Sequence, residues 1–328
     1  MALYDLPLDE LRTYDPAVRR PSDLTEFWGR TLDEAAAHPL DVTLTAVDTG
    51  FVLVDTYDVA FGGFGGDRIR GWLRVPHGSE PGTLPAVVQF VGYGGGRGLA
   101  TEPSAWAQAG YAHFVMDTRG QGSGWSAGDT PDDQHGATGP AHPGYMTRGI
   151  RDRDAYYYRR LFTDGVRAVE AVRSLDLVDP RLVFVTGGSQ GGGIALAVAG
   201  LTSGLAGVLA DVPFLCHFER AIVITDANPY GEIASYLRVH RDDVERVLDT
   251  LSNFDGVNLV ASADAPAFFS VALMDDIVPP STVFAAHNAY PAEKEIVVYP
   301  FNGHEGGQLL QEGRKLRWAN ARLAALRP

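Results

Sequence analysis

The chain has 328 residues, 45% hydrophobic and 21% charged, with a formal net charge of −14 and one cysteine, Cys216. An acidic total with no concentrated basic tract argues against nucleic-acid binding and suits a neutral or cationic substrate better than a polyanion. A single cysteine excludes an intramolecular disulfide and a cysteine-rich metal site, and no apolar run has the length of a membrane span.

The first segment, MALYDLPLDELRTYDP, has neither the basic start nor the continuous apolar stretch of a secretory signal, so cytoplasmic residence is expected. Residues 1–40 read as a helical extension. After Pro21-Ser22, Leu24, Phe27, Trp28 and Leu32 form an apolar face that either covers the main domain or meets another subunit. From Val42 to Val75 the pattern is β-rich, passes Gly62-Gly63 and Gly65-Gly66, and suits hairpins beside the core.

Nearly continuous apolar strands follow at Pro85–Val91 and Tyr111–Met116, with a helix around Ser104–Ala109 between them. The rhythm repeats with a helix at Phe162–Leu175, a strand at Leu182–Thr186 and a helix at Ile194–Ala199. Further strands are expected at Val208–Val212, Phe268–Leu273 and Glu295–Tyr299. Such alternation predicts an α/β fold with a mostly parallel central sheet. Residues 119–160, rich in Gly, Pro, Asp and aromatics, read as an excursion over a sheet edge, and 214–262 as a mainly helical insertion. The length allows two domains, at about 150 residues each, but without a repeat or a disordered linker one decorated domain over 1–328 is preferred.

Chemistry concentrates at Gly187-Gly188-Ser189-Gln190-Gly191, where a strand passes through a tight turn into a helix. This is the setting of a nucleophile elbow. The plainer reading is a Gly-rich loop in which Ser189 only caps the next helix. A serine hydroxyl needs an imidazole to take its proton and a carboxylate to orient that imidazole. In α/β-hydrolases the chain order is Ser–Asp–His. Asp275 lies at the end of the Phe268–Met274 run, with Asp276 and Asp264 as competitors and a solvated turn acid as the plain alternative. His304, in Asn302-Gly303-His304-Glu305, follows the last strand, and His287 is its competitor in a helix-like stretch. An ester oxyanion needs two backbone donors. The amide of Gln190 is one candidate. The Gly-rich turn Val91–Gly96 offers that of Tyr93, whose ring either lines an acyl pocket or simply packs.

Six stretches together resemble the acetyl xylan esterase/cephalosporin-C deacetylase family, carbohydrate esterase family 7, over nearly the whole chain. They are Phe27-Trp28, Arg70–Pro76, Arg119-Gly120-Gln121-Gly122, Gly188–Gly192, Asp275–Pro280 and Gly303-His304-Glu305. The resemblance implies an α/β-hydrolase fold, a triad of Ser189, Asp275 and His304, and an oxyanion hole from the Tyr93 and Gln190 amides. It gives the Arg119 motif a supporting role near the active centre, although by composition that motif could equally be a surface turn. It also implies removal of acetyl groups from short xylo-oligosaccharides and cephalosporin C, no metal or organic cofactor, and a homo-oligomer, commonly a hexamer. Two departures stand out: Ala272 where the family commonly has Gly, and His287 in place of an aromatic. With the aromatics of Gly144–Tyr158 they leave the carbohydrate preference open. The alternatives are a broader small-acyl or aryl-ester hydrolase, which the Tyr156-Tyr157-Tyr158 cluster would permit, and a hydrolase fold retained for binding.

Overall fold

A computed structural model describes residues 3–132 and 143–326. Its framework is a nine-stranded sheet of β1 (Thr43–Val47), β2 (Val54–Gly62), β3 (Arg68–Pro76), β4 (Leu84–Phe90), β5 (Ala112–Met116), β6 (Val178–Gly188), β7 (Gly207–Asp211), β8 (Ala267–Ala272) and β9 (Lys294–Tyr299). The spatial order is β1-β2-β3-β5-β4-β6-β7-β8-β9. The first three strands pair as antiparallel hairpins and β3 joins β5 antiparallel, while β4 to β9 all run parallel. The parallel strands carry continuous apolar runs because both their faces are covered. Ala86, Val87 and Val88 of β4 and Val183, Phe184 and Val185 of β6 are fully buried.

Eleven α-helices occupy the described residues: α1 (Leu8–Leu11), α2 (Leu24–Ala36), α3 (Ala105–Gln108), α4 (Tyr157–Arg173), α5 (Gln190–Leu201), α6 (Phe218–Ile224), α7 (Tyr230–Val239), α8 (Val244–Ser252), α9 (Gly256–Leu259), α10 (Pro280–Ala289) and α11 (Gln308–Leu326). None is long and apolar enough to cross a membrane. Alternate strand residues sort them onto two faces. Val88, Val185, Val208 and Phe269 join the large core with α2, α4, α5 and α10, whereas Val87, Phe184, Leu209 and Phe268 pack with Trp106 of α3 and Ala319 and Leu323 of α11.

The apolar face of α2 is spent within the same chain. Trp28 Nε1 donates to the Asn253 carbonyl at 2.9 Å, and the Phe27 and Trp28 rings meet Phe254 edge-on. The excursion that begins at Arg119 has its residues 133–142 outside the described set. The Arg119 motif is not a surface turn. Its guanidinium is fully buried, donating to Asp164 Oδ1 at 2.8 Å, Asp67 Oδ2 at 2.9 Å and Asp132 Oδ1 at 3.3 Å, and Arg160 shares Asp132. A guanidinium out of water is tolerated only with such partners. Tyr156, Tyr157 and Tyr158 are likewise fully buried. They are packing residues at the start of α4, not a surface offered to aromatic substrates or to another subunit.

On the opposite face, β5 carries the buried His113, whose Nδ1 lies 2.8 Å from Ser104 Oγ and whose Nε2 lies 2.9 Å from Gln89 Oε1. Burial, with the nearby Arg74 and Lys315 charges, lowers its pKa to about 3. The unfolded chain therefore takes a proton below about pH 6.5 that the folded chain refuses. This contribution to stability is whole above pH 6.5 and falls by about 1.4 kcal/mol per pH unit as pH drops from there toward 3. Melting curves between pH 7.5 and 5 should show a shallower loss of Tm in His113→Asn than in the wild type; parallel curves would contradict the assignment.

Candidate active site

The register of the parallel strands brings their C-terminal ends level, pairing Phe90 with Gly187, Gly188 with Asp211, Asp211 with Ser270 and Ala272 with Tyr299. The chain leaves β4 for β5 on one side and returns to β6 on the other. The loops after β4 and β6 therefore part, which is where open α/β sheets bind ligands.

Ser189 follows β6 directly, with φ +54° and ψ −120°. A non-glycine residue there is strained by about 1–3 kcal/mol and must be held. Three hydrogen bonds hold it: Ser189 N to Asp211 O at 2.9 Å, and Gly193 N and Phe214 N to Ser189 O, each at 3.0 Å. The turn closes because two side chains are missing. A Cβ on Gly187 would lie 2.3 Å from the Gly191 carbonyl carbon, and one on Gly191 would lie 2.1 Å from Phe90 O. Ser189 stands at the N-cap position of α5, but its side chain makes no capping hydrogen bond. The capping explanation therefore fails.

Asp275 is fully buried beyond β8. Its Oδ1 accepts the Ile277 and Val278 amides, each at 2.9 Å, and its Oδ2 receives His304 Nδ1 at 2.8 Å. His304 is partly exposed beyond β9 and lines the same cavity as Ser189. With Nδ1–H given to Asp275, Nε2 is left as the acceptor. The competitors fall away on position. Asp264 is exposed before the start of β8, Asp276 is bound through its carbonyl by Thr225, and His287 packs edge-on against Phe269 with Nδ1 on Asn288 Oδ1.

The two expected oxyanion donors sit on opposite sides of the crevice. Gln190 is the first residue of α5, so its amide has no carbonyl partner within the helix. Its side chain spans the crevice, giving Nε2 to Val91 O at 3.1 Å and receiving at Oε1 both Gln121 Nε2 and Tyr158 OH, each at 2.9 Å. Gln121 Oε1 in turn accepts the Gly94 amide at 2.7 Å. The buried Arg119 motif thus ties together the loops that carry Tyr93 and Gln190. The Tyr93 ring both lines the cavity and packs edge-on against Tyr145. Its hydroxyl donates to Glu232 at 2.7 Å and accepts the Tyr145 amide at 2.7 Å. Burial, then the Glu232 charge, raises its pKa, which keeps the phenol a donor.

Ser189, His304, Gly92 and Trp125 are shared by two cavity lobes. One, of about 480 Å³, is lined by Tyr93, Pro143, Pro229, Glu232 and Ile277. The other, of about 360 Å³, runs over Gln89, Asp211, Ser270 and Gln311. Trp125 and Glu232 escape a sequence reading: one lies in a Gly-rich stretch without periodicity, the other on an ordinary charged helix. Among the described residues, no group of three or more His, Cys, Asp or Glu side chains could hold a metal ion.

Comparison with known proteins adds an independent finding. Residues 1–322 match the family model described as acetyl xylan esterase (AXE1). The acetyl xylan esterase from Paenibacillus sp. R4 superposes with a TM-score of 0.90 at 38% identity, covering 96% of this chain and 99% of that one. Acetyl xylan esterase 1 from Thermoanaerobacterium sp. JW/SL YS485 gives 0.86 at 33% identity, covering 97% and 99%. Acetyl esterase Axe7A of Xylanibacter ruminicola is 28% identical over 298 residues, which span 88% of this chain and 64% of that protein's length.

The Asp275 geometry sets a test. Asparagine can still accept the Ile277 and Val278 amides, but it turns an NH₂ toward His304 and forces the ring proton onto Nε2. Labelling of Ser189 by a fluorophosphonate, followed by mass spectrometry, should slow by on the order of 10³–10⁴ in Asp275→Asn. Labelling at the wild-type rate would remove Asp275 from the site.

Proposed function

The chain belongs to the acetyl xylan esterase (AXE1) family, and from that premise we propose that it is a serine esterase removing acetyl groups from short acetylated xylo-oligosaccharides and from cephalosporin C. The observation that carries this reading is the 2.8 Å hydrogen bond from His304 Nδ1 to buried Asp275, in a cavity shared with a strained Ser189. Two relatives above 30% identity that bear the name acetyl xylan esterase support the acetylated carbohydrate.

In the proposed reaction, His304 Nε2 takes the hydroxyl proton as Ser189 Oγ attacks the acetyl carbon. The amides of Gln190 and Tyr93 hold the oxyanion of the tetrahedral intermediate. Collapse expels the alcohol, which leaves with the proton from His304. Water, activated by the same imidazole, then releases acetate and restores Ser189. A preference for larger aryl esters rests on the Tyr156-Tyr157-Tyr158 cluster, and those rings are enclosed in the core.

We also propose that the chain assembles as a homo-oligomer, with a hexamer as the expected size. Phe51, Val52 and Leu53 stand exposed together between β1 and β2, an apolar run that suits a subunit contact. Light scattering should give a mass that is a multiple of the 35.3 kDa chain; a stable monomer would refute the assembly.

Acetate release from acetylated xylo-oligosaccharides, cephalosporin C and an aryl acetate tests the activity. Ser189→Ala should lower each rate by at least about 10³-fold with melting temperature maintained. Undiminished turnover by the pure variant would sink the assignment. Cleavage of the aryl acetate alone by the wild type would keep the esterase and remove the sugar substrate.

A further inference from the structure

The two lobes that meet at Ser189 differ in chemistry. The side chains of Tyr93, Pro143, Pro229 and Ile277 make the first largely apolar. The second lies where β4, β7 and β8 end beside α11, and its floor is built from polar side chains of defined hydrogen-bonding sense.

Gln89 takes its sense from a relay behind it. Ser104 Oγ caps α3 by accepting the Ala107 amide at 3.0 Å, and its own hydrogen goes to His113 Nδ1 at 2.8 Å. The neutral imidazole then carries its proton on Nε2 and donates it to Gln89 Oε1 at 2.9 Å. With the oxygen so committed, Gln89 presents its NH₂ to the cavity as a donor.

Asp211 has the opposite sense. Its Oδ1 accepts Ser270 Oγ at 2.8 Å and Gln311 Nε2 at 2.9 Å, while its Oδ2 meets buried Lys315 Nζ at 2.8 Å. Lys315 and the two neutral donors fix the plane of the carboxylate. Oδ2 retains acceptor capacity toward the lobe that Asp211 lines. Gln308 stands exposed at the rim, and Trp125, also exposed, forms a wall on the side shared with the apolar lobe.

We infer that this polar lobe is the subsite for the polyhydroxylated leaving group, with Gln89 donating to and Asp211 accepting from its hydroxyls. A sugar ring carries vicinal hydroxyls that donate and accept, and an apolar C–H face suited to an indole wall. The acetyl methyl group has no hydrogen bonds to offer and belongs in the other lobe. Polar groups of fixed sense buried against a ligand that cannot answer them are left unpaired, so this floor discriminates against a flat aryl leaving group. The inference rests on the acetylated-sugar reading above and goes further by assigning which wall reads the sugar.

The test compares kcat/KM for acetylated xylobiose with that for 4-nitrophenyl acetate. Gln89→Leu keeps the side-chain length and removes the donor, and the sugar-to-aryl ratio should fall about ten-fold, mainly through KM for the sugar ester. Because leucine also deprives His113 of its acceptor, Gln308→Ala provides a second variant at an exposed position, with a fall of about two- to three-fold expected. Ile277→Phe, in the apolar lobe, should lower both activities and leave their ratio within about two-fold. A ratio unmoved by both glutamine variants, or one that responds to Ile277→Phe instead, would overturn the lobe assignment while leaving the esterase intact. Wild-type enzyme that cleaves only the aryl ester would overturn the sugar substrate itself, and this subsite with it.

Discussion

The backbone at Ser189 is the constraint around which the rest is arranged. A serine at φ +54° will not stay there unless its surroundings over-determine it, and the supports come from separate parts of the chain. Asp211 at the end of β7 accepts its amide, and the segment running from β7 into the helical insertion occupies its carbonyl through Phe214. Gly191 lets the first turn of α5 lie against the last carbonyl of β4. The strain is thus distributed over β4, β6, β7 and α5, and the hydroxyl is delivered above the sheet rather than folded back onto the helix end.

The same level strand ends account for the partners. Asp275 and His304 are 29 residues apart, yet each follows its strand by a few residues, and the pairing of Ala272 with Tyr299 sets them face to face. Register therefore matters more than sequence proximity. Asp276 has nearly the same sequence environment as Asp275, but its side chain lacks the two amides that hold Asp275 in place. Those amides leave one oxygen for the imidazole.

Most of the parallel sheet is legible in the sequence because buried strands carry uninterrupted apolar runs. Pro85–Val91 and Phe268–Leu273 match β4 and β8 to within a residue at either end, and chain order then narrows the base and acid to a few residues. The legible part ends where long-range packing decides. Nothing local separates a Tyr156-Tyr157-Tyr158 cluster that is enclosed from one that is displayed. The enclosure comes from Phe254 and Phe162, distant in sequence or one turn along α4. Composition alone leaves Arg119 undecided for a related reason, although the family resemblance gives its motif a supporting role. An arginine in a Gly-rich turn has the composition of a surface loop, and only the convergence of Asp67, Asp132 and Asp164 reveals a buried ion pair. Glu232 reaches the cavity from a helix that has no sequence signal for the site at all.

Charge and neutrality are also placed in an order that makes chemical sense. The ionic cluster around Arg119 stands one layer behind the crevice. Tyr157 OH donates to the Arg119 carbonyl at 2.6 Å and receives Gln121 Nε2 at 3.1 Å, and Gln121 then meets Gln190. Every group on the path from Tyr157 through Gln121 to Gln190 is neutral. A carboxylate at position 121 or 190 could accept some of the same hydrogen bonds, but it would place a fixed negative charge beside an oxygen that becomes negative during attack. A neutral amide pair gives the same rigidity without that repulsion. Arginine and aspartates can supply rigidity because two glutamines and a tyrosine pass it forward without passing on the charge.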